Sequence, residues 1–440
     1  MTTNISVFGL GYVGCVSAAC FAREGHTVVG VDVNAGKVEM VNAGKATIVE
    51  MGIGELVAEM VESGRLSATT DITDAVRRTA VSLVCVGTPS RPNGSLDLSY
   101  VERVCEQIGA ALREKDSRHT IVIRSTVLPG TIHDLVVPAL ERASGMRAGV
   151  DFGVCGNPEF LREGTSIQDF YDPPFTLVGT DDPETGRAVA ALYDGIEAPV
   201  HVVPVRTAEM VKYSCNAFHG LKVAFANEIG NICKAVGVDS HEVMRIFCED
   251  RKLNISPYYL RPGFAFGGSC LPKDLRAVIY KARSMDVDVP VLAATLESNR
   301  KQIEHAFDLV IATGKKKIGV LGLSFKAGTD DLRESPMVAL IEMLIGKGHQ
   351  LAIYDPYVTS SRLMGANREY IEREIPHIWE LMRGSTREVL ESSEAVIIGN
   401  SAGEFREIQG HLSADQPVVD LVRAFGSRTS DGAAYQGICW

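Results

Sequence analysis

Residues 5–14 read ISVFGLGYVG, and this stretch decides the fold of the first part of the chain. The apolar run 5–8 leads directly into Gly9, Gly11 and Gly14, and a helical pattern follows through residue 22. A strand, a glycine turn and a helix in this order are typical of a dinucleotide-binding domain, in which the pyrophosphate lies at the start of the helix. Glycines are common, so their spacing becomes specific only through its place between a strand and a helix.

A second apolar run, residues 28–31, ends at Asp32. A dinucleotide-binding domain needs a carboxylate at this distance from the glycines for the ribose hydroxyls, and a carboxylate there repels the 2′-phosphate of NADP. We therefore expect NAD as the cofactor. The residues of this part that we expect to bind it are Gly9, Tyr12, Val13, Gly14, Asp32, Lys37 and Thr88.

Two further apolar strands, residues 81–86 and 121–123, are followed by Thr88 and Thr126. Ligands of open α/β sheets bind at the carboxyl ends of such strands. Thr126 has a second interpretation, as a helix cap. Because strands and helices alternate through residue 154, the sequence predicts a parallel sheet that is covered by helices.

The segment NPEFLREG, residues 157–164, carries Glu159 and Glu163 just after a strand end. If the segment is helical, both carboxylates lie on one face of the helix. A solvated pair on a surface helix is the alternative. The strand end just upstream favours a role in the site.

Residues 208–236 show apolar side chains spaced by threes and fours, which predicts one long central helix. Lys212 and Asn216 lie four apart beside this apolar stripe, so they can direct a cation and an amide at one ligand atom. The alternative is that they form the ordinary polar flank of the helix.

Residues 263–274 read GFAFGGSCLPKD and place Cys270 between a glycine pair and a proline. Lys273 and Asp274 bring titratable groups close to the thiol, and a nearby cation is one way to raise its thiolate fraction. The segment is typical of a nucleophile site, and a buried structural cysteine is the alternative.

An aromatic segment precedes the cysteine, with Arg261 among Tyr258, Tyr259 and Phe264. Aromatic rings with one arginine suit a nucleotide or a sugar phosphate, although such clusters also anchor protein interfaces.

The part that follows residues 315–317 repeats the pattern of the first. IGVLGL at 318–323 matches ISVFGL at 5–10, and GHQLAIYD ending at Asp355 matches GHTVVGVD ending at Asp32. After Gly322 the remaining glycines are absent, whereas Lys326 and Arg333 supply cations suited to phosphate. We expect a second doubly wound sheet that binds something other than NAD.

Composition limits the class of protein. A chain of 440 residues with 45% hydrophobic and 22% charged residues forms two or three soluble domains, and no apolar run is long enough for a membrane span. The net charge of -11 argues against nucleic acid as a partner. No secretion signal precedes the first strand and the ten cysteines are scattered, so we expect a cytoplasmic protein with reduced thiols and no metal site.

Seven motifs, taken together and in their order, resemble the nucleotide-sugar 6-dehydrogenases of the UDP-glucose/GDP-mannose dehydrogenase family over essentially the whole chain. The motifs are GLGYVG, VGTP, STVLPGT, NPEFLREG, EMVKYSCN, FGGSCLPKD and SFKAGTDDLRESP. Residues 255–274 and the terminal GICW are most similar to the members that oxidise GDP-mannose for alginate synthesis. The members that oxidise UDP-glucose are the alternative.

The resemblance implies an α/β architecture of two doubly wound, Rossmann-like parallel-sheet domains joined by a long central helix. The implied parts are a NAD-binding domain at 1–203, a helical dimerisation and substrate domain at 204–300, and a nucleotide-sugar-binding domain at 301–440. It also implies a homodimer that pairs through the central helix and exchanges domains, so that Arg261 reaches the neighbour's sugar nucleotide.

The implied reaction is a four-electron oxidation of the sugar C6 alcohol with two NAD⁺ in succession. In the first oxidation, a water held by Lys212, Asn216 and Asp274 takes the proton. Cys270 then carries the aldehyde as a thiohemiacetal and afterwards as a thioester. Glu159 and Thr126 place the water that hydrolyses the thioester. Which of Lys212 and Asp274 owns the first proton stays open. Further implied cofactor contacts are Thr126, Glu163, Lys273 and Arg333; the implied substrate contacts are Glu159, Phe160, Leu161, Lys212, Asn216, Tyr258, Tyr259, Arg261, Phe264, Gly267 and Lys326.

Two other functions compete with this one. A two-electron hydroxyacid dehydrogenase has a similar NAD domain but needs no cysteine, so FGGSCLPKD counts against it. A nucleotide-sugar sensor without catalysis needs none of Cys270, Lys212 and Asn216, and the chain retains all three.

Overall fold

The computed structural model describes residues 2–93, 95–162, 164–256, 259, 262–268, 271–324, 327, 332, 334–358, 371, 375–426 and 434–439. It divides into two compact units, residues 1–220 and 221–440. The predicted division into three parts stays a prediction.

The first unit is built on an eight-stranded sheet of order β3-β2-β1-β4-β5-β6-β7-β8. Every neighbouring pair is parallel except β6 and β7, which meet in antiparallel fashion at Gly156 and Gly179. The first six strands follow the predicted alternation with helices, and the antiparallel pair was not predicted. The strands are β1 Asn4–Phe8, β2 Thr27–Val31, β3 Leu66–Thr69, β4 Val81–Val84, β5 Thr120–Ile123, β6 Gly153–Gly156, β7 Thr176–Gly179 and β8 Val200–Val203.

Helices cover both faces of this sheet because successive side chains of its buried strands point to opposite sides. Val28 belongs to the apolar cluster on one face, whereas Val29 and Val31 belong to the cluster on the other. The helices are α1 Tyr12–Arg23, α2 Ala35–Asn42, α3 Ile53–Glu62, α4 Ile72–Arg78, α5 Ser99–Leu112, a π-helix Ile132–Val136, α6 Val137–Ser144, α7 Ser166–Tyr171, α8 Pro183–Ala190 and a 3₁₀ turn Ala191–Tyr193.

The predicted central helix is α9, Val205–Val236. In the second unit its residues Phe225, Ile229 and Ile232 pack against a small apolar cluster that includes Ile279 and Leu292. The carboxylate of Glu228 accepts hydrogen bonds from the N–H groups of residues 291 and 292, at 2.7 and 3.0 Å, at the start of the next long helix. The helices of this part are α10 Ser240–Glu249, α11 Leu271–Arg283 and α12 Pro290–Ala312.

A second, wholly parallel sheet of order β10-β9-β11-β12-β13 completes the second unit. Its strands are β9 Lys317–Leu321, β10 Gln350–Tyr354, β11 Ala395–Ile398, β12 Val418–Asp420 and β13 Tyr435–Gly437, and its helices are α13 Pro336–Gly346, α14 Ile378–Leu381, α15 Thr386–Ser392 and a 3₁₀ helix Gly403–His411. The predicted repeat and fold class are confirmed; β13 was not predicted. Among the described residues, no helix is long and apolar enough to cross a membrane.

A buried polar network crosses the first sheet. The Ser6 hydroxyl lies 3.0 Å from that of Thr79 and 2.8 Å from that of Ser82, which in turn contacts Nε2 of His119 at 2.7 Å. Burial, reinforced by the charge of Lys115, lowers the pKa of His119 to about 3. The imidazole is therefore neutral in the folded protein at ordinary pH.

This shift predicts that the first unit loses stability in acid. The pKa of His119 in the folded state lies below its unfolded value of about 6.5. The contribution of His119 to the free energy of unfolding is therefore complete above about pH 6.5, and it falls by up to about 1.4 kcal/mol per pH unit as the pH drops towards 3. Urea midpoints at pH 5, 6, 7 and 8 should fall less steeply in His119→Gln than in the wild type. Exposed His241→Gln is the control; equal slopes in all three proteins would contradict the prediction.

Candidate active site

The glycine turn after β1 is closed by the backbone itself. Gly9 has a φ of +92°, a conformation that favours glycine. A Cβ on Gly14 would lie 1.7 Å from the carbonyl oxygen of Gly9, so the first turn of α1 can approach β1 only because residue 14 is glycine. Val13 packs partly buried against the adjoining core.

Asp32 lies at the end of β2 and joins two strand ends. Its Oδ2 accepts the backbone N–H of Leu10 at 2.8 Å and lies 3.4 Å from Lys37 Nζ, while Oδ1 accepts the N–H of Asn34 at 2.9 Å. The side chain still borders a cavity of about 630 Å³. Each carboxylate oxygen has more than one acceptor site, so Asp32 can also accept from ribose hydroxyls.

The residues of this cavity fit a dinucleotide. Its lining is largely apolar, as an adenine ring requires, and the glycine turn forms one wall. Thr88, at the end of β4, also borders it and donates to the carbonyl oxygen of Thr126 at 2.9 Å. Of the expected cofactor residues, the lining includes Gly9, Asp32, Lys37 and Thr88.

One interpretation at this edge needs correction, and the cofactor contact expected of Tyr12 stays a prediction. Thr126 is not a helix cap, because the next helical segment begins at residue 132. The Tyr12 hydroxyl donates to Glu50 at 2.6 Å and borders a different cavity with Glu50 and Gly164. Glu50 also accepts the N–H groups of Gly164 and Ser166.

Lys212 and Glu159 form a largely buried ion pair, with Nζ and Oε1 3.1 Å apart. The Lys212 ammonium also lies 5.2 Å from the ring centre of Phe160, and the residue is only 7% exposed. The second oxygen of Glu159 accepts the N–H of Leu161 at 2.6 Å. A cation and a carboxylate are thus held together at the carboxyl edge of the sheet.

Residues 157–162 are not helical, so the condition under which Glu159 and Glu163 would share a helix face is not met. Glu159 reaches Lys212 from a loop instead. Glu209, one turn before Lys212 on α9, accepts the N–H groups of Gly130 and Ile132 at 2.7 and 3.0 Å and so anchors this part of the helix. Asn216, the next predicted residue along the helix, is exposed.

In the second unit, the loop 262–268 is bound to α12. Asn299 exchanges two hydrogen bonds of 2.8 Å with the backbone of Phe266, and Gln302 donates to the carbonyl oxygen of Gly263 at 2.6 Å. Phe264 packs against the core of the second sheet. Sequence reasoning missed both Asn299 and Gln302.

The same loop meets the segment around residue 334. A Cβ on Gly267 would lie 2.5 Å from the carbonyl oxygen of Glu334, so the glycine serves a close approach of two backbones. The Glu334 carboxylate forms a two-pronged ion pair with Arg276 of α11. Gly267 of the motif FGGSCLPKD and Glu334 of the motif KAGTDDLRESP are therefore neighbours.

The remaining predicted residues fall into two groups. Lys273 and Asp274 form an exposed ion pair of 3.0 Å at the start of α11, and Tyr259 is exposed with a φ of 65°. The second group lies outside the described residues and consists of Glu163, Tyr258, Arg261, Cys270, Lys326 and Arg333.

The second sheet repeats the acid of the first but uses it differently. Oδ2 of Asp355 accepts from the backbone N–H groups of Leu323 and Ser324, from the Ser324 hydroxyl and from the Asn400 amide. The residue is 1% exposed, against 9% for Asp32. Oδ1 accepts the N–H of Tyr357 at 2.9 Å, so groups of the protein bind both oxygens, which fits a sheet expected to bind something other than NAD.

The first unit is thus a NAD-binding α/β domain of the dehydrogenase type. The chain matches the UDP-glucose/GDP-mannose dehydrogenase family in its NAD binding domain over residues 3–197, its central domain over 206–301 and its UDP binding domain over 319–427. The chain belongs to this family, which confirms the resemblance, the cofactor NAD and the assignment as a NAD-dependent dehydrogenase.

Individual relatives are similar over the full length. GDP-mannose 6-dehydrogenase of Pseudomonas aeruginosa is 53% identical over 99% of this chain and 100% of its own. UDP-glucose 6-dehydrogenase of Haloferax volcanii is 35% identical with the same coverage. The crystal structure of a ternary complex of GDP-mannose dehydrogenase from Pseudomonas aeruginosa superimposes with a TM-score of 0.96 over 99% of this chain and 100% of that one, at 52% identity.

The position of Asp32 predicts strong preference for NAD⁺. Asp32→Asn keeps an acceptor oxygen but removes the charge, so the KM for NAD⁺ should rise about 10-fold and the preference over NADP⁺ should fall by a similar factor. Initial rates with both cofactors measure this. Glu39→Gln, an exposed acid on α2, is the matched control. Equal use of both cofactors by the wild type would contradict the prediction.

Proposed function

We propose that this chain oxidises the C6 alcohol of GDP-mannose to the carboxylate of GDP-mannuronate, with two NAD⁺ reduced in succession. The observation that carries the proposal is the 52–53% identity, over nearly the full length, to several GDP-mannose 6-dehydrogenases, against 35% to a UDP-glucose enzyme. The buried pair Lys212–Glu159 beside the NAD-binding domain supplies the charges that the reaction needs.

In the first step the C6 hydroxyl loses its proton through a water held by Lys212, Asn216 and Asp274. When bound, NAD⁺ accepts the hydride that leaves C6 in each oxidation. The Lys212 ammonium stabilises the negative charge that develops on the oxygen, and its burial makes that charge more effective than in water.

In the second step the thiolate of Cys270 adds to the aldehyde carbon, and a proton reaches the oxygen to give a thiohemiacetal. Loss of that proton and of a second hydride leaves a thioester. Water then attacks the thioester carbon, the thiolate leaves, and the acid forms. Glu159, assisted by Thr126, places and deprotonates this water; its contact with Lys212 supports the assignment.

The sugar nucleotide is held by two sets of residues. Phe160 and Leu161 lie on the loop of Glu159, and Phe264 and Gly267 lie on the loop that precedes Cys270. The proposed substrate contacts are completed by Tyr258, Tyr259, Arg261 and Lys326. The proposed further contacts to the cofactor come from Glu163, Lys273 and Arg333. The binding of residues 262–268 to α12 supports a rigid loop at this place.

We also propose a homodimer that pairs through α9. Met210, Phe218 and Leu221 share one face of this helix and are 52%, 39% and 51% exposed. A second copy of the same face can cover them in a two-fold interface. The cytoplasmic location stays a prediction, which the nine free cysteines of the described chain support.

The proposed route predicts two NADH for each GDP-mannose oxidised. Cys270→Ala should lose acid formation while retaining NAD⁺ and GDP-mannose affinity within about 3-fold, because only the covalent carrier is removed. Absorbance gives the NADH yield, and mass spectrometry identifies the sugar product. Cys248→Ala, an exposed cysteine, is the matched control. Normal acid production by Cys270→Ala would exclude the thioester route.

The shared site predicts that two inactive variants rescue each other. Cys270→Ala mixed with Arg261→Ala, under conditions that allow subunit exchange, should regain about a quarter of the wild-type activity, because some hybrid sites then receive both intact residues. Each variant alone, treated identically, is the control. Sedimentation of fully active protein as a monomer would refute the dimer, and absence of rescue after proven exchange would refute the shared site.

A further inference from the structure

Arg124 is a buried cation that the proposed mechanism does not use. It follows β5 directly and is 4% exposed. Its Nε donates to the Ser17 hydroxyl at 3.0 Å, and its Nη1 donates to Oδ1 of Asn157 at 2.7 Å and to the Tyr193 hydroxyl at 2.9 Å. All three contacts lie in the first unit.

Within the part of the chain that the structure describes, the charge of Arg124 has no direct counter-ion. Among the described residues, no carboxylate lies within 4.0 Å of its guanidinium, whereas the other buried cation of this region, Lys212, is paired with Glu159. Removing a cation from water is costly unless nearby groups compensate it. A hydrophobic side chain would fill the same space without that cost, so the charge has a local use.

The contacts of Asn157 show what that use is. Its Nδ2 donates to the carbonyl oxygen of Leu177 at 2.9 Å, and its backbone N–H donates to that of Ile123 at 2.9 Å. Its side-chain oxygen accepts from Nη1 of Arg124 and from the Tyr193 hydroxyl, which itself accepts from Arg124. Asn157 is therefore fixed at every polar end, and it begins the loop that carries Glu159 two residues later.

Arg124 and Glu159 also border one small cavity. Its volume is about 30 Å³, which is room for one or two waters, and Asn157 and Tyr193 are among its other lining residues. Of the described residues, none accepts a hydrogen bond from Nη2 of Arg124. The guanidinium thus faces the same space as the carboxylate that the proposed reaction uses in hydrolysis.

We propose that Arg124 is a positioning residue for thioester hydrolysis: through Asn157 its guanidinium fixes residues 157–161, and so sets the place of Glu159 relative to Lys212. The proposal rests on the proposed function. Its consequence is selective when GDP-mannose is saturating. Phe160 and Leu161 of the same loop then act only through substrate affinity, whereas hydrolysis depends on the exact position of the Glu159 carboxylate.

The selective effect can be measured as acyl-enzyme that accumulates. Arg124→Lys keeps the charge but not the fork that binds Ser17 and Asn157 together; Arg124→Met removes the charge as well. Both should release the first two NADH per active site at near wild-type rate, whereas steady-state turnover falls about 10²-fold in Arg124→Met and less in Arg124→Lys. Intact-protein mass spectrometry should show the sugar-acyl adduct, and the KM for NAD⁺ should change by less than about 3-fold.

Two controls separate positioning from general damage. His119→Gln disturbs a buried network of the same sheet that does not contact residues 157–161, so it should lower stability without trapping acyl-enzyme. Tyr193→Phe removes a hydroxyl that bonds both Arg124 and Asn157, and it should trap acyl-enzyme to a smaller extent; it carries the test if Arg124→Met does not fold.

The outcomes distinguish this proposal from the proposed function. If the wild type releases no NADH from GDP-mannose, or if Glu159→Gln traps no acyl-enzyme, the proposed function or its hydrolytic step has failed. Two results would overturn the positioning role. In the first, Glu159→Gln traps the adduct but the Arg124 and Tyr193 variants do not. In the second, the initial burst of NADH and the steady-state turnover of the Arg124 variants fall together, in step with their loss of stability.

Discussion

Both sheets depend on the same contact. A carboxylate that follows one strand (β2 or β10) accepts a hydrogen bond from the backbone that follows the neighbouring strand (β1 or β9). Asp32 accepts the N–H of Leu10, and Asp355 accepts the N–H of Leu323 in the same register of the repeat. Each contact fixes the two strand ends where a ligand of an open α/β sheet would lie. The difference between the copies follows from what else reaches the acid. Asp32 borders a cavity, whereas Oδ2 of Asp355 also accepts from the Ser324 hydroxyl and the Asn400 amide.

This reuse of one scaffold explains how a single chain separates its tasks. The first unit holds the cofactor cavity and the pair Lys212–Glu159, and the second holds the loop that leads to Cys270. The NAD binding domain of the family matches residues 3–197, its central domain, which includes Lys212 and Cys270, matches 206–301, and its UDP binding domain matches 319–427. The ion pair lies at a buried position although desolvation opposes it, and the proposed reaction needs such a fixed cation and carboxylate.

Local sequence predicted the elements whose signals are local. The glycine turn, Asp32, the repeat and the long helix were all visible because strand runs, glycine spacing and helical periodicity depend only on neighbouring residues. The antiparallel junction of β6 and β7 was not, because it depends on pairing across the sheet. The loop form of residues 157–162 was also missed, since a spacing of four between Glu159 and Glu163 does not by itself make a helix. Four further residues carry no sequence signal, because their hydrogen-bond partners are distant in the chain: Arg124, Glu209, Asn299 and Gln302.

A side-by-side comparison of nucleotide sugars tests the proposed substrate most directly. NADH formation by the intact enzyme should be measured with GDP-mannose, UDP-glucose and GDP-glucose at matched concentrations. We expect a kcat/KM for GDP-mannose at least about 10²-fold above those for the other two, because a site built to bind one base and one sugar configuration leaves buried polar groups unpaired with the others. Equal or higher efficiency with UDP-glucose would contradict it.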